Sequence, residues 1–370
     1  MILTIFESYL LYFGSFALAS FFAALYARLN SIFKYIFFIL AIFIPAIVAA
    51  LRNAAVGTDY QYYLYHISQF AHINSISDFV LLDSNFEIGF NILIFAITRV
   101  TDYFPVVVFF IYIFMAFFIL LGMQKIISRN YIYLGYLFYM SAFWLFGYNG
   151  LRQAIAVAIL FFSIDYIRKR ELLPFVVTVL FAMSFHKTAI LFLPMYYLFN
   201  KNKVKIEKAY LMISIVGILF IAFFLKQSSS LIGMDNYLNS QYAQISESSQ
   251  MIAFLKIIQS LVLLFPFFLW RKKLVKIDNT NRLYYNMLYL YMFVQVISFQ
   301  VTIASRLGFY FEIVTIPLAM QIISYAKVKK KIINLFYMVY IYLYFIVYKF
   351  AYIYLGSGHV IPYAFIGGNI

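Results

Sequence analysis

Long apolar blocks separated by short polar breaks run through the whole chain. An α-helix needs roughly 20 residues to cross about 30 Å of hydrocarbon. Against that measure the blocks predict spans at 8–27, 33–51, 131–147, 150–167, 172–186, 188–199, 209–226, 252–270, 284–303, 307–326 and 332–352. Lipid offers no hydrogen-bond partners, so only helices or a closed barrel can span it. The blocks are continuous rather than alternating, which selects helices. The stretch 88–122 reads either as two helices broken around Thr101, Asp102 and Pro105 or as one crossing with a re-entrant piece. Blocks 172–186 and 188–199 are short, as suits helices that stop at a polar cavity. No internal repeat is evident, so an inverted-repeat transporter is not supported. The expected fold is an all-α, polytopic transmembrane helix bundle forming a single membrane-embedded domain over residues 1–370.

Composition agrees with that pattern and charge orients it. The chain is 65% hydrophobic and only 11% charged, with a mean hydropathy of +0.90. A soluble domain of this size cannot hide so much apolar surface. Aromatics at 22% exceed what interfacial belts need and predict rings inside helix contacts or lining a groove. The net charge of +15 is not a nucleic-acid signal, because Lys and Arg sit in short loops at span ends. These basic loops fall at 28–34, 125–129, 168–170, 201–208, 271–282 and 327–331. All of them lie on the cytoplasmic side if 88–122 makes one net crossing. The chain then crosses about twelve times, with both termini extracytoplasmic. Residues 52–87 become an extracytoplasmic amphipathic segment and 227–250 an extracytoplasmic loop without Lys or Arg. The first apolar run, without a small-residue cleavage site behind it, reads as a retained span rather than a signal peptide.

Isolated ionisable residues then gather on the outer side. Arg52 and Asp59 flank Gly57, which permits a tight turn, and Asp59 can cap the following helix; a helix cap beside a snorkelling arginine is the plain alternative. Asn149, Arg152 and Gln153 open a span at its outer end and share a helix face. An arginine there opposes the helix dipole, a cost that makes sense if an anion sits beside it. His186 and Lys187 interrupt two apolar runs, and imidazole is suited to proton transfer near neutral pH. Glu87 opens the 88–122 stretch as a possible cap. Arg306 is followed by Tyr310 one turn on and by Glu312, a carboxylate that costs roughly 2–3 kcal/mol or more inside a span unless paired. A structural ion pair is the plain reading of Glu312. There are no cysteines, no metal-ligand spacing, no DxD pair and no Walker-type glycine loop. No cofactor or metal is expected, and ATP is not the direct energy source.

In chain order the sequence carries R…VGTDYxxY at 52–63, ExGF at 87–90, NGLRQAIA at 149–156, FHKTAIL at 185–191 and RxxxYF…P at 306–317. This series resembles the EpsG family of Wzy-type bacterial polysaccharide polymerases, which serve capsule, O-antigen and exopolysaccharide synthesis. Two departures stand out: Ile88 occupies a position where proline is common, and Glu312 is not expected. The resemblance implies a GT-C-like, inverting, metal-independent membrane glycosyltransferase in the bacterial cytoplasmic (inner) membrane. Its substrate would be undecaprenyl-pyrophosphate-linked oligosaccharide, with a chain-length regulator and a flippase as pathway partners. The residues then take roles. Arg152 and Arg306, supported by Arg52, would face the pyrophosphate as its charge develops. His186, or second Asp59, would take the acceptor proton. Tyr60 and Tyr63 would stack on sugars, with Asn149, Gln153, Lys187, Tyr310 and Glu87 completing the substrate site. A flippase for the same lipid and a membrane sugar O-acyltransferase are the rival expectations.

Overall fold

The computed structural model describes residues 1–73, 75–81, 84, 86–198, 209, 212–213, 215–217, 247–298, 304–329, 339 and 358–367. Most of the expected spans 209–226 and 332–352, and nearly all of the 227–250 loop, lie outside the described residues. Among those described there is no β-strand, only two isolated bridges.

The chain divides into two compact units. The first comprises residues 1–165, 176–190 and 338–370 and the second residues 166–175 and 191–337. The first unit begins with α1 (Ile5–Arg28) and α2 (Lys34–Ala50), packed as a pair, with α2 also against α6 (Phe104–Ile126) and α1 against α7 (Ile132–Ala142). Thr4 and Glu7 close a capping box at the start of α1. Alanines on the buried faces, Ala19 and Ala23 on α1 and Ala41 and Ala46 on α2, let the backbones approach. Rings fill the remaining space: Tyr26 meets Phe38 at 4.9 Å and Phe43 meets Phe109 at 5.0 Å between centroids.

Between these helices lie α3 (Tyr60–Ala71), α4 (Ile76–Leu81) and α5 (Ile88–Thr98). The 88–122 stretch is therefore two helices, with the break at residues 99–103 just before Pro105. Pro105 sits in the first turn of α6, where its missing N–H leaves no bond unmade. The block expected at 131–147 is a short α7 followed by a 3-10 turn, Trp144–Tyr148. Then come α8 (Leu151–Lys169), α9 (Leu172–Met183) and a long 3-10 stretch, Lys187–Leu198, where 188–199 was expected as an α-helical span. Ile5–Arg28 and Phe104–Ile126 are long and apolar enough to cross a membrane, and a pair bent by 41° at residues 305–325 makes a third if counted as one span. The protein is an all-helical membrane protein.

The second unit contains α10 (Glu247–Ile277), α11 (Asn281–Ile297), the short α12 (Ala304–Leu307) and α13 (Phe309–Glu312), and α14 (Thr315–Lys329). Side-chain bonds to backbone join them. Tyr285 donates to the Phe267 carbonyl at 2.8 Å, and the Asn281 amide reaches Leu274 O at 2.8 Å and Gln321 Oε1 at 2.6 Å.

In the first unit, residues 358–367 return to the chain's beginning. Leu3 N–H donates to Tyr363 O at 2.9 Å, Asn53 N–H to Ala364 O at 2.7 Å and Gly57 N–H to His359 O at 2.9 Å. The Tyr363 hydroxyl caps Val48 O at the end of α2 at 2.7 Å. This seam fixes the 51–59 loop. Gly57 sits at φ +101°, and a Cβ there would lie 2.8 Å from the Tyr148 carbonyl oxygen. Gly14, inside α1, has nothing within 4 Å of such an atom. Gly57→Ala should therefore cost about 2 kcal/mol or more, lowering the thermal midpoint of the detergent-purified protein, whereas Gly14→Ala should leave it unchanged or slightly higher. Equal midpoints for the two variants would show that the turn is not held in this conformation.

Candidate functional site

Gly89 is where the site begins. It lies in the first turn of α5, and its N–H donates to Ser184 O at 2.7 Å. A Cβ on Gly89 would fall 2.8 Å from that carbonyl oxygen, so only glycine lets α5 start this close to the end of α9. The contact brings residue 87 against the chain that turns into His186 and Lys187.

Glu87 is 92% buried and gathers three segments. One carboxylate oxygen, Oε2, is ion-paired with Arg152 Nη1. The other, Oε1, accepts the Lys187 N–H at 3.1 Å and lies 3.3 Å from His186 Nδ1, a looser approach than a well-aligned hydrogen bond. Burial alone would push the Glu87 carboxyl upward, but His186, the Arg152 guanidinium and the Lys187 amide outweigh it and hold the group down at about 2. Glu87 is thus an anion throughout the neutral range. Within the chain, Arg152 already has this carboxylate as its counter-ion. His186 is about one-quarter exposed, and its Nε2 has no protein partner among the described residues. The Lys187 side chain is exposed.

A polar cluster holds the approach to Glu87. His66 Nε2 meets Asn91 Oδ1 at 3.0 Å, and Ser84 Oγ lies 3.3 Å from each. Asn91 Nδ2 donates to Phe86 O at 3.2 Å, while Phe86 N–H donates to Ser84 Oγ at 3.1 Å. Asn91 Oδ1 only accepts, so His66 Nε2 carries a hydrogen. Burial lowers the His66 pKa, keeping its ring neutral, and the Asn91 bond offsets only part of that. The Phe86 ring lies between cation and imidazole: Arg152 Cζ sits 4.1 Å from its centroid and the His66 ring 3.9 Å away.

The remaining sequence candidates fall elsewhere. Arg52 is 1% exposed, sealed in a cage of rings: Tyr60 at 3.7 Å, Tyr148 at 4.2 Å and Tyr112 at 5.2 Å from its guanidinium carbon. It donates to Ala49 O at 2.7 Å, and its Nε and Nη2 have no acceptor among the described residues. Expected as a support for pyrophosphate, Arg52 is here enclosed by these rings. Tyr60 and Tyr63, expected to stack on sugars, are both buried, Tyr60 on Arg52 and Tyr63 on Phe86 and Phe90 beside Arg152. The exposed rings of α3 are Tyr62 and Tyr65.

Asp59 stands at the N-cap of α3 without a side-chain cap bond and accepts the Thr58 hydroxyl at 2.9 Å. Asn149 is a clamp: its Oδ1 accepts Thr58 N–H at 2.7 Å and its Nδ2 donates to Gly358 O at 3.0 Å. Gln153 is buried. Arg306 is exposed, while Tyr310 and Glu312 are buried; all three belong to the second unit.

Sequence reasoning gave Glu87 a capping role and, through the resemblance, a place in the substrate site, but passed over Phe86, His66, Ser84 and Asn91. Two signals were there. Asn91 is the lone polar residue inside the apolar run 88–97, and His66 continues the stripe Tyr60, Tyr63, Phe70 at helical spacing. Among the described residues no three His, Asp or Glu side chains converge as a metal site would require.

No curated protein and no solved structure matches the chain. The EpsG family matches residues 34–365, which takes in every element of the site just described, and the chain belongs to the EpsG family.

Proposed function

We propose that the protein polymerises undecaprenyl-pyrophosphate-linked oligosaccharide repeat units by inverting, metal-independent glycosyl transfer at the outer face of the bacterial cytoplasmic membrane. Family membership supports a membrane polysaccharide polymerase. The observation that carries the chemical reading is the meeting of three separate motifs at the Glu87 carboxylate: ExGF, NGLRQ and FHK. About twelve crossings with the basic loops inside remain part of the proposal.

In the proposed reaction a hydroxyl of the acceptor repeat attacks C1 of the donor sugar from the face opposite the leaving group. The C1–O bond to pyrophosphate breaks, its electron pair stays with the lipid pyrophosphate, and the hydroxyl proton goes to His186 Nε2. Glu87 faces Nδ1, so it fixes the imidazole's orientation and stabilises the imidazolium that forms. The 3.3 Å approach of the two groups is close enough for that role. The Lys187 ammonium and the Arg152 guanidinium supply positive charge for the departing pyrophosphate. Arg52 contributes by holding α3 through its ring cage rather than by touching substrate.

His186→Ala and Arg152→Ala, compared with wild type at equal amounts of folded, membrane-inserted protein, are expected to leave single lipid-linked repeats in place of a ladder of chain lengths. Normal ladders from both would sink the catalytic assignment. Purified protein in detergent separates the rivals, since a flippase needs a sealed bilayer and an acyltransferase would mark the glycan with acyl mass.

The ion itself gives a pH prediction. Glu87 titrates at about 2 in the folded protein against an ordinary 4.5. Its stabilisation is therefore complete above pH 4.5 and disappears as pH falls toward 2, with a full value of about 3 kcal/mol. Glu87→Gln should lower the thermal midpoint at pH 7, and the gap from wild type should close on acidification across that window. A gap that stays constant with pH would show that the carboxylate's charge contributes nothing.

A further inference from the structure

One face of α3 carries the buried stripe of Tyr60, Tyr63, Ile67 and Phe70 that packs against the site. The opposite face presents Gln61, Tyr62, Tyr65, Ser68 and Gln69. Tyr62 is 50% exposed and Tyr65 is 63% exposed. They are three positions apart and so lie one above the other on the helix surface. Gln69 Nε2 lies 3.3 Å from the Tyr65 hydroxyl, which sets an amide at the edge of an open ring. Helix α3 contains no Lys, Arg, Asp or Glu.

This face is continuous with the site. The Tyr62 ring stands edge-on to Phe86 at 5.1 Å between centroids, and Phe86 is the ring beneath the Arg152 guanidinium. We propose that the Tyr62–Tyr65–Gln69 face of α3 is a glycan-binding subsite that holds sugar rings of a lipid-linked repeat beside the Glu87–His186 centre. The subsite rests on the polymerase reading and names where that substrate's carbohydrate lies.

The chemistry fits a neutral sugar. The apolar C–H face of a pyranose packs on an aromatic face, and a neighbouring amide both donates to and accepts from ring hydroxyls. A helix lying on anionic lipid would instead carry Lys or Arg on its polar side, and α3 carries none. The helix rises 1.5 Å per residue, so its twelve residues extend about 18 Å, room for more than one sugar ring.

The test uses a probe with no lipid: the free oligosaccharide repeat released by mild acid from the polysaccharide of the producing strain. Saturation-transfer NMR on the full-length protein in detergent should show transfer to sugar ring protons. In Tyr62→Ala and Tyr65→Ala the Kd should rise at least about tenfold, while Tyr65→Phe, which keeps the ring, should stay close to wild type. No transfer to the wild-type protein at millimolar repeat, or unchanged affinity in both alanine variants, would overturn the subsite. So would alanine variants that bind glycan normally but lose stability only in lipid vesicles, which would assign the rings to headgroups. The two readings fail separately: normal ladders from His186→Ala with glycan binding intact remove the catalytic reading and leave the subsite standing.

Discussion

A carboxylate 92% removed from water needs donors on every side, and Glu87 obtains them from chain segments up to a hundred residues apart. An isolated buried charge costs several kcal/mol, so Glu87 is tolerable only with Arg152, His186 and the Lys187 amide in place. That requirement fixes local structure around it. The α5 helix must start against Ser184, which demands glycine at position 89. Ser84 and Phe86 must hold their places, which the bonds among Ser84, His66, Asn91 and Phe86 impose. The geometry of the site is thus a by-product of satisfying one ion.

Arg52 shows the other way of burying a charge in this chain. It has no facing carboxylate among the described residues, and aromatic quadrupoles take the counter-ion's place. Such contacts are worth roughly 2 kcal/mol when desolvated, and several are needed. The rings come from α3, α6 and the 3-10 turn before α8. Enclosing one cation therefore ties together the elements that frame Glu87, and residues 358–367 close the seam by bonding to the loop that carries Arg52.

Helix content was legible because lipid forces continuous apolar runs, and most boundaries fall within a few residues of the expected ones. The losses have local causes. The expected span at 131–147 ends early because the chain changes to a 3-10 turn ahead of Asn149, the residue that clamps Thr58 and Gly358. Arg152 and His186 were legible as anomalies: one opposes its helix dipole and the other interrupts an apolar run. Glu87 entered the site only through the resemblance, because a carboxylate before a helix looks like a cap whether or not distant donors converge on it. Which tyrosines of α3 face inward was harder to read. YQYYLY offers a ring at nearly every position, and only the wider stripe through Ile67 and Phe70 tells the inward face from the outward one.

In the proposed reaction the same electrostatics narrow the choice of base. A carboxylate held near 2 has almost no proton affinity at neutral pH, which disqualifies Glu87 however close it stands to substrate. What disqualifies it as a base qualifies it as an anchor: an anion that stays charged can stabilise an imidazolium through the whole turnover. Asp59, the second sequence candidate, spends one oxygen on the Thr58 hydroxyl within its own turn and, among the described residues, pairs with no imidazole or guanidinium. His186 has the opposite arrangement, with one ring nitrogen against a permanent anion and the other open. Proton acceptance at Nε2 then places charge where Glu87 already compensates it, next to the cations that receive the departing pyrophosphate. Both halves of the displacement are served from one buried ion, which is why three motifs so far apart in the chain have to meet there.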